Sequence, residues 1–378
     1  MWVSSLKLAG FRNYSHLDVK LNQGMTLFFG DNGNGKTNLV EAIYYLSNLD
    51  SHRNSDTKAL INKDSQAATA IAEIRNKDRN LLLAAEINSS QPNKYFINGN
   101  QQKKTSDFLG ALNSVIFAPE DLDLVRRDPS DRRRFLDLSL TQLKPRMAGV
   151  KADYERVLKQ RNALLKSAKN FPSVDLSTLD IWDQQLVELG NQISMARLSL
   201  IQNLKPLLQK FYSALAGTDE VVDLALEMNI GVDDSGEVLD SPSKDQLAKM
   251  FHDKLAEVRP KELERGITLV GPHRDELRIT KAGLPTRTHA SQGEAWSIAL
   301  GLRLAMAELL RQESQSGDPV LILDDVFAVL DAGRRKRLLE FVADFEQVLV
   351  TSADRESTPK LNWASEFEVS KGGKVAQL

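Results

Sequence analysis

Hydrophobic and polar positions divide the chain into three stretches of different character. In the first, apolar residues occur in short runs bounded by glycine, proline and polar residues, a pattern that is typical of strands. The predicted strands cover residues 25–29, 68–75, 81–87, 95–97 and 115–117. The fourth run is followed by Asn98-Gly99, which predicts a type I′ hairpin turn because both residues tolerate positive φ angles.

The middle of the chain has the spacing of amphipathic helices. Apolar residues recur at steps of three and four from 143 to 164, and a second stripe runs from 182 to 211. Pro145 is suited to the first turn of the first helix, and the polar residues 170–178 separate the two helices. Such a pair predicts an antiparallel helical hairpin that protrudes as an arm; the alternative is that both helices belong to one ordinary core.

A mixed pattern returns after residue 212. Leu321-Ile322-Leu323 and Val348-Leu349-Val350 are continuous apolar runs, as expected for buried parallel strands. The simplest architecture is an α/β protein in which both ends of the chain form one domain. We therefore predict a discontinuous head of residues 1–119 and 206–378, with a helical arm of residues 120–205 inserted between them.

Composition limits the chemistry more than it identifies it. The 378 residues include no cysteine, which excludes disulfides, cysteine-based zinc sites and a thiol nucleophile. The net charge of −2 gives no support for nucleic-acid binding by overall charge, so any DNA contact would need locally grouped basic residues. No run approaches the roughly 18 apolar residues of a membrane span, and residues 1–7 lack a secretory pattern, so we expect a cytoplasmic protein.

Residues 30–37 match the phosphate-loop pattern G-x-x-x-x-G-K-[ST] at every fixed position, between a predicted strand and a helix-compatible run. Glycines let several backbone N–H groups point at phosphate oxygens. Lys36 would supply a positive charge for the β- and γ-phosphates, and Thr37 would offer its hydroxyl to Mg²⁺. The predicted ATP-binding residues are Gly30, Asp31, Asn32, Gly33, Asn34, Gly35, Lys36, Thr37 and Asn38.

Hydrolysis also needs an acid that supports magnesium and a group that orients or deprotonates water. Asp324-Asp325 follows the apolar run 320–323, at the end of a strand that we expect beside the phosphate-loop strand. Asp324 is predicted to contact Mg²⁺ through water, and Asp325 to face the attacking water. With Lys36 they are the predicted catalytic residues; the alternative is a strand end followed by a solvated acidic turn.

Ser291-Gln292-Gly293-Glu294 precedes a helix-like run that continues to Arg311. Free N–H groups and the helix dipole converge at such a start, which suits an anion, although a plain helix cap has the same sequence. The motif lies about 30 residues before the acidic strand. The signature motif of ABC-type ATPases has the same position, and in those proteins it closes over the γ-phosphate held by the other subunit.

Motifs along nearly the whole chain resemble those of the RecF family, in the same order. They are Phe11-Arg12-Asn13-Tyr14, the phosphate loop, Phe117-Ala118-Pro119-Glu120-Asp121-Leu122, Pro129-Ser130-Asp131-Arg132-Arg133-Arg134-Phe135-Leu136-Asp137, Gln160-Arg161-Asn162, Gly271-Pro272-His273-Arg274-Asp275 and Ser291-Gln292-Gly293-Glu294. The resemblance implies an ABC/SMC-type P-loop ATPase head with a short helical-hairpin arm, using ATP and Mg²⁺. It also implies slow, DNA-stimulated hydrolysis, an ATP-dependent homodimer that clamps DNA, and work with the RecO and RecR mediators in recombinational repair.

The same resemblance assigns roles to single residues. Ser291 and Gly293 would bind the partner's γ-phosphate, and Asp331 matches the aspartate of the D-loop. Asp325 takes the place of the glutamate base of most ABC ATPases. Its shorter side chain reaches less far, which fits slow turnover better than fast.

The sequence departs from the wider ABC pattern at three places. The D-loop stretch 327–331 reads Phe-Ala-Val-Leu-Asp, without the serine and glutamate that are common there and that could cross a dimer interface. Thr351-Ser352 stands where transporters have the switch histidine. No Q-loop glutamine can be placed near Phe117-Ala118-Pro119. The missing histidine and the helical insertion argue against the alternative function, the ATPase subunit of a transporter.

Two groups of charged residues have two interpretations each. Arg126 and Arg127, with Arg132-Arg133-Arg134, are candidates for contacts with DNA phosphates. The alternative is a solvated helix start with intrahelical acid pairs, since three aspartates are close in sequence. His273-Arg274-Asp275 is interpreted mainly as a structural ion-pair turn, with a role near the nucleotide or the interface as the alternative.

Overall fold

The computed structural model describes residues 1–53, 56–76, 79–171, 173–230, 242–314, 317–356, 358–359 and 361–378. The strands are β1 (Trp2–Phe11), β2 (Tyr14–Lys20), β3 (Gly24–Phe29), β4 (Ala67–Asn76), β5 (Arg79–Asn88), β6 (Lys94–Ile97), β7 (Asn100–Gln101), β8 (Ser114–Phe117), β9 (Val222–Glu227), β10 (Glu276–Lys281), β11 (Leu284–Pro285), β12 (Val320–Asp324), β13 (Gln347–Ser352), β14 (Ser365–Ser370) and β15 (Lys374–Gln377). The helices are α1 (Lys36–Asn48), α2 (Thr105–Phe108), α3 (Leu122–Arg126), α4 (Pro129–Leu143), α5 (Arg146–Asn170), α6 (Leu179–Ala216), α7 (Lys244–Arg265), α8 (Thr286–His289), α9 (Gln292–Glu313) and α10 (Ala332–Val342). The five strands predicted in the first stretch correspond to β3, β4, β5, β6 and β8.

An antiparallel sheet covers one side of the molecule, with strand order β2-β1-β4-β5-β6-β7. Its last hairpin turns at Asn98 and Gly99, whose φ angles are 50° and 80°. Both angles are positive, as a type I′ turn requires, so the predicted hairpin is confirmed. A smaller sheet of order β11-β10-β9 lies elsewhere in the chain.

A second six-stranded sheet forms the centre, with order β15-β14-β3-β13-β12-β8. All neighbouring strands in it are parallel except β14 and β15. The expectation that the acidic strand β12 lies directly beside the phosphate-loop strand β3 is wrong, because β13 pairs with both and separates them. After β12 the chain crosses over through α10 and returns between the two strands, an order that local sequence does not reveal. The carboxyl ends of β3 and β12 nevertheless share one sheet edge.

Each face of the central sheet is covered by its own hydrophobic cluster. Leu321 and Leu323 of β12 belong to a cluster shared with α6 and α9, whereas Val320 and Ile322 belong to a cluster shared with α1 and the antiparallel sheet. Successive side chains of a strand point to opposite faces, so a strand buried on both sides needs a continuous apolar run. That requirement explains the sequence pattern of β12 and β13.

The two long helices of the middle stretch are α5 and α6, which pack against each other and against α7. Pro145 occupies the N-cap position of α5, in agreement with its predicted role at the helix start. Helix α6 continues through Pro206 to Ala216, so the predicted division between residues 205 and 206 falls inside a continuous helix. Its apolar face is part of the same cluster as α9. Within the described residues, no helix has the length and hydrophobicity needed to cross a membrane.

A buried guanidinium ties α5, α6 and α7 together. Arg161 is fully buried; its Nε donates to Asp183 at 2.6 Å and its Nη2 to Glu262 at 2.6 Å. Its Nη1 donates to Thr268 Oγ1 at 2.9 Å. Asp183 also pairs with Arg259, so removing Arg161 leaves the fully buried Glu262 as the carboxylate without a cationic partner.

Arg161→Ala is expected to lower the free energy of unfolding by about 3–5 kcal/mol, because it leaves the buried Glu262 carboxylate uncompensated. Urea unfolding monitored by circular dichroism measures the loss. Arg156→Ala is the matched control on the same helix, since that side chain is 69% exposed and its pair with Asp153 should contribute less than about 1 kcal/mol. Equal losses in the two variants would contradict the assigned role of the cluster.

The turn at residues 271–275 also packs against the helices. Tyr154 Oη and His273 Nδ1 are 2.7 Å apart, and Arg197 donates to the carbonyl oxygen of Pro272 at 2.7 Å. Asp275 is buried, accepts a hydrogen bond from the amide of Asn229 at 2.9 Å, and lies 3.5 Å from Arg197. These contacts fit the interpretation of the turn as a structural ion-pair element.

Candidate functional site

The phosphate loop joins β3 to α1 and depends on its glycines. Gly30, Gly33 and Gly35 have φ angles of 146°, 85° and 107°, which L side chains rarely adopt. A Cβ on Gly30 would overlap the carbonyl oxygen of Val369, and one on Gly35 would overlap the side-chain amide of Asn13. Glycine is therefore required at these two positions by backbone conformation and by close packing.

The loop ends at the N-terminus of α1, which begins with Lys36. Amide groups in a first helical turn have no intrahelical acceptor, and the helix dipole adds partial positive charge there, so the position suits a phosphate. The Nζ of Lys36 donates to the carbonyl oxygens of Gly30 at 2.6 Å and Asp31 at 3.1 Å. These contacts hold the ammonium across the loop.

Two threonine hydroxyls orient the buried acid. Thr37 Oγ1 donates to Asp324 Oδ1 at 2.9 Å, and Thr351 Oγ1 donates to the same oxygen at 2.6 Å. Thr351 Oγ1 also accepts from the amide of Asp325 at 2.9 Å. The hydroxyl at the switch position thus fixes both aspartates. Thr37 and Asp324 together present hard oxygen ligands, the type that Mg²⁺ prefers, so these residues fit a magnesium ion.

Burial raises the pKa of Asp324 to about 6, although the hydroxyls of Thr351 and Thr37 act in the opposite direction. Because this pKa lies above the unfolded value, the protonated form stabilises the fold at low pH, and that contribution is lost as the pH rises through 6. Asp324→Asn is therefore expected to stabilise the magnesium-free protein by about 2–3 kcal/mol at pH 8 and to change little at pH 4. Urea unfolding at both pH values measures this difference, and a pH-independent effect would contradict it.

Asp325 follows in a left-handed conformation, with φ at 51°. Aspartate is one of the few residues other than glycine that adopt this region readily. Asp325 lines a cleft of about 980 Å³ together with Lys36 and Thr37. The sequence predicted these three residues to act together, and the structure places them around one cleft.

Further residues line the cleft that sequence reasoning did not assign to ATP. They are Arg12, Asn13, Ser15, Arg53, Ala59, Ile61, Asn62, Lys63, Asp64 and Ser65. The guanidinium of Arg12 forms two hydrogen bonds with Glu41 and one with the carbonyl oxygen of Ala59. Tyr14 of the same motif is buried and donates to the carbonyl oxygen of Gly35 at 2.9 Å. No local motif marks residues 59–65, because the fold alone brings them to the cleft.

His52 is a second group that the sequence did not indicate. Its Nε2 lies 3.9 Å from Asp324 Oδ2, and only 5% of its side chain is exposed. Burial lowers its pKa to about 4, so the ring is neutral at physiological pH. Neither ring nitrogen has a hydrogen-bond partner among the described residues.

The predicted signature residues form the start of α9. Ser291 is the N-cap: its Oγ accepts from the amide of Glu294 at 3.3 Å, and Glu294 accepts from the amide of Ser291 at 2.8 Å. Lys281 binds Glu294 at 2.8 Å and holds the pKa of that carboxyl below its usual range. Ser291 and Gln292 are exposed. The residues lining the nucleotide cleft include none of 291–294, so the signature turn is not part of the nucleotide cleft of its own chain.

The predicted D-loop aspartate begins α10. Asp331 Oδ1 accepts from the amide of Arg334 at 2.9 Å, and the Asp331 side chain is 55% exposed. Phe327 is buried in the core, whereas Val329 is 41% exposed. Ala328 and Val329, which stand where a serine and a glutamate are common, are both exposed, so this stretch presents an apolar surface.

The arginines considered for DNA contacts have different surroundings. Arg126 and Arg127 are exposed, and Arg127 pairs with Asp123 at 2.9 Å. Arg132 is buried and donates to both carboxylate oxygens of Glu276 and to the carbonyl oxygens of Leu124 and Arg127.

The next two arginines are also engaged. Arg133 donates to Asp275 O at 2.9 Å, and Arg134 pairs with Asp50 at 2.8 Å and binds the carbonyl oxygen of Ser51. A DNA phosphate could reach the guanidinium of Arg132 only if its internal hydrogen bonds broke. The side-chain hydrogen bonds of residues 132–134 go to residues outside α4, so the alternative of a solvated helix start with intrahelical acid pairs is wrong for these three.

Comparison with known proteins identifies the family and agrees with the fold. The family model described as RecF/RecN/SMC N terminal domain matches residues 2–373. The DNA replication and repair protein RecF of Clavibacter sepedonicus is 48% identical, over 99% of this chain and 95% of that protein. The protein of the same description from Streptomyces avermitilis is 46% identical, over 98% of this chain and 99% of that protein.

Solved structures give the same result. A structure of the recombination mediator protein RecF with ATP, described as part of the RecFOR pathway, has a TM-score of 0.90 and 28% identity, over 100% of this chain and 97% of that chain. An Smc head bound to the C-winged helix domain of ScpA has a TM-score of 0.55 at 16% identity, over 100% of this chain and 98% of that chain, and supports the fold alone. The α/β ABC/SMC-type head fold is confirmed, and none of these matches favours a transporter subunit. The chain belongs to the RecF family of DNA replication and repair proteins.

Proposed function

We propose that this chain is a slow ATPase whose ATP-bound form dimerises head to head and clamps DNA during recombinational repair and replication restart. One observation carries the proposal: Lys36, Thr37 and Asp325 line the cleft, while the signature turn at 291–294, with Ser291 and Gln292 exposed, lies outside it. A second copy turned to face the first would bring its signature over the phosphates. The ATP site is then complete only in the dimer.

The residues of the cleft have separate tasks in this scheme. Amides of the phosphate loop and Lys36 bind the β- and γ-phosphates, while Thr37 and Asp324 hold Mg²⁺, which neutralises charge on those phosphates. Asp325 orients or deprotonates the attacking water. Ser291 and Gly293 of the second subunit bind the γ-phosphate and exclude solvent from it. The short Asp325 side chain limits the rate, so the ATP-bound dimer is long-lived.

DNA, RecO and RecR are the proposed partners, because solved relatives are described as components of the RecFOR pathway. The corresponding experiment measures binding to single-stranded DNA, duplex DNA and a gap junction, with and without ATP, alongside sedimentation of the protein. ATP should raise DNA affinity and dimer population together. DNA binding that is independent of both ATP and dimerisation would refute the clamp.

Asp325→Asn is expected to prolong the ATP-bound dimer on DNA, because the amide keeps the shape of the carboxylate but cannot accept a proton from water. Hydrolysis should fall by about 100-fold or more, as expected for loss of a general base. Single-turnover hydrolysis and DNA dissociation rates provide the measurement. A variant that hydrolyses ATP at the wild-type rate would remove Asp325 from the mechanism.

A further inference from the structure

One side chain, that of Arg334, connects the D-loop to the signature turn within a single chain. Its Nη1 pairs with Asp331 Oδ2 at 2.5 Å, and its Nε donates to Ser297 Oγ at 3.0 Å. Ser297 Oγ in turn donates to the carbonyl oxygen of Gly293 at 3.0 Å. A continuous series of polar contacts therefore runs from the start of α10 to the first turn of α9.

A side chain on Gly293 would press on the guanidinium of Arg334, which lies against it. A Cβ on Gly293 would be 3.0 Å from Nη2, 3.2 Å from Nη1 and 3.3 Å from Cζ of Arg334. Carbon–nitrogen contacts this close are repulsive, so the guanidinium would have to move by a few tenths of an ångström. Gly293 lies in a helix, whose backbone conformation any residue except proline adopts, so the conformation itself does not demand glycine.

The contact with α9 separates this arginine from an ordinary surface ion pair. A pair between residues 331 and 334 in one helical turn contributes little to stability when it is exposed. Arg334 is only 26% exposed, and its planar guanidinium binds Asp331 and Ser297 in two fixed directions at once. This geometry restricts the half-exposed Asp331 side chain relative to the signature turn.

We propose that Arg334 is a positioning residue of the composite ATP site, which fixes the D-loop and the signature turn as one rigid surface. The inference rests on the proposed ATP-dependent dimer, in which both elements face the second subunit. A surface that is already ordered before association loses less conformational entropy on binding. Arg334 acts on assembly of the site, and the absence of a side chain at Gly293 lets the guanidinium keep this position.

A double-mutant cycle between positions 293 and 334 tests the proposal. Sedimentation with ATP gives the dimer dissociation constant for Gly293→Ala, Arg334→Ala and the double variant, while ATP affinity of the monomer and the melting temperature report on the cleft and the fold. Each single change should weaken the dimer by about tenfold or more, with monomer ATP affinity unchanged. The dimer of the double variant should be no weaker than the dimer of Gly293→Ala, because both changes disturb the same contact.

Several outcomes would overturn the inference. Additive effects would mean that Gly293 serves the partner's phosphate independently of Arg334. Wild-type dimerisation of Arg334→Ala, or an equal loss in the control Lys336→Ala, whose side chain is 80% exposed on the same helix, would remove the positioning role. A wild-type chain that stays monomeric with ATP refutes the proposed function itself, and with it this inference.

Turnover at high protein concentration distinguishes positioning from direct catalysis. At protein concentrations above the raised dissociation constant of its dimer, Arg334→Ala should hydrolyse ATP at nearly the wild-type rate. The assembled site then retains all groups that touch ATP. Arg334→Lys keeps the charge but cannot bind Asp331 and Ser297 together, so its dimer should be intermediate in strength. A fully dimeric Arg334→Ala that remains inactive would show that the arginine acts on the reacting groups instead.

Discussion

Lys36→Met is expected to abolish the ATP-induced dimer while the protein stays folded. Methionine keeps the length of the apolar stem but loses the ammonium that lies across the phosphate loop. Loss of charged hydrogen bonds to phosphate, each about 1.5–3 kcal/mol, should weaken ATP binding by about 10- to 100-fold or more. Without bound ATP, no phosphate bridges the two heads.

Sedimentation velocity with and without ATP measures the dimer, and isothermal titration measures ATP affinity. Lys20→Met is the matched control, because Lys20 is an exposed lysine on β2, outside the cleft. The control should bind ATP and dimerise like the wild type. An ATP-induced dimer of Lys36→Met would show that the nucleotide site has been assigned wrongly.

Ser291→Arg should leave ATP binding by the monomer intact but prevent dimerisation and hydrolysis. Ser291 is exposed and does not line the cleft, so an arginine there adds bulk and charge only where a second subunit would approach. Loss of the helix cap itself should cost about 1 kcal/mol. Ser291→Ala loses the same cap without the added bulk and is therefore the control for stability.

Mixing the two defective proteins gives the sharpest test of a shared site. In a mixed dimer, the phosphate loop of Ser291→Arg meets the intact signature of Lys36→Met, so one of the two composite sites has no defect. ATP-dependent association and partial turnover should return on mixing, although each variant alone is inactive. If Ser291→Arg instead loses monomer ATP binding as strongly as Lys36→Met, the shared arrangement is wrong.

Local signals explain which parts of the fold could be predicted. The phosphate loop, the Asn98-Gly99 turn and the apolar runs of β12 and β13 each satisfy a requirement of neighbouring residues, such as positive φ or burial on both faces. Such requirements appear directly in the sequence. The three- and four-residue spacing of apolar positions in α5 and α6 is likewise visible in the sequence.

Features that depend on contacts between distant parts of the chain were either not predicted or predicted wrongly. The insertion of β13 between β3 and β12 follows from a crossover, not from any residue of those strands. His52 lies beside Asp324, although the two residues are 272 positions apart in the chain. Arg132 looks like a candidate DNA contact in sequence but is bound to Glu276, 144 residues away. A single sequence carries no signal for any of these pairs.

The contact between Arg134 and the loop after α1 has a mechanical consequence. Arg134 of α4 binds Asp50 and the carbonyl oxygen of Ser51. The loop that contains these two residues continues to Arg53, which lines the nucleotide cleft. Rotation of α4 against the head must either break this pair or carry the loop with it. Helix α4 and the wall of the cleft are therefore mechanically coupled, and a force on α4 is transmitted to the place where ATP would bind.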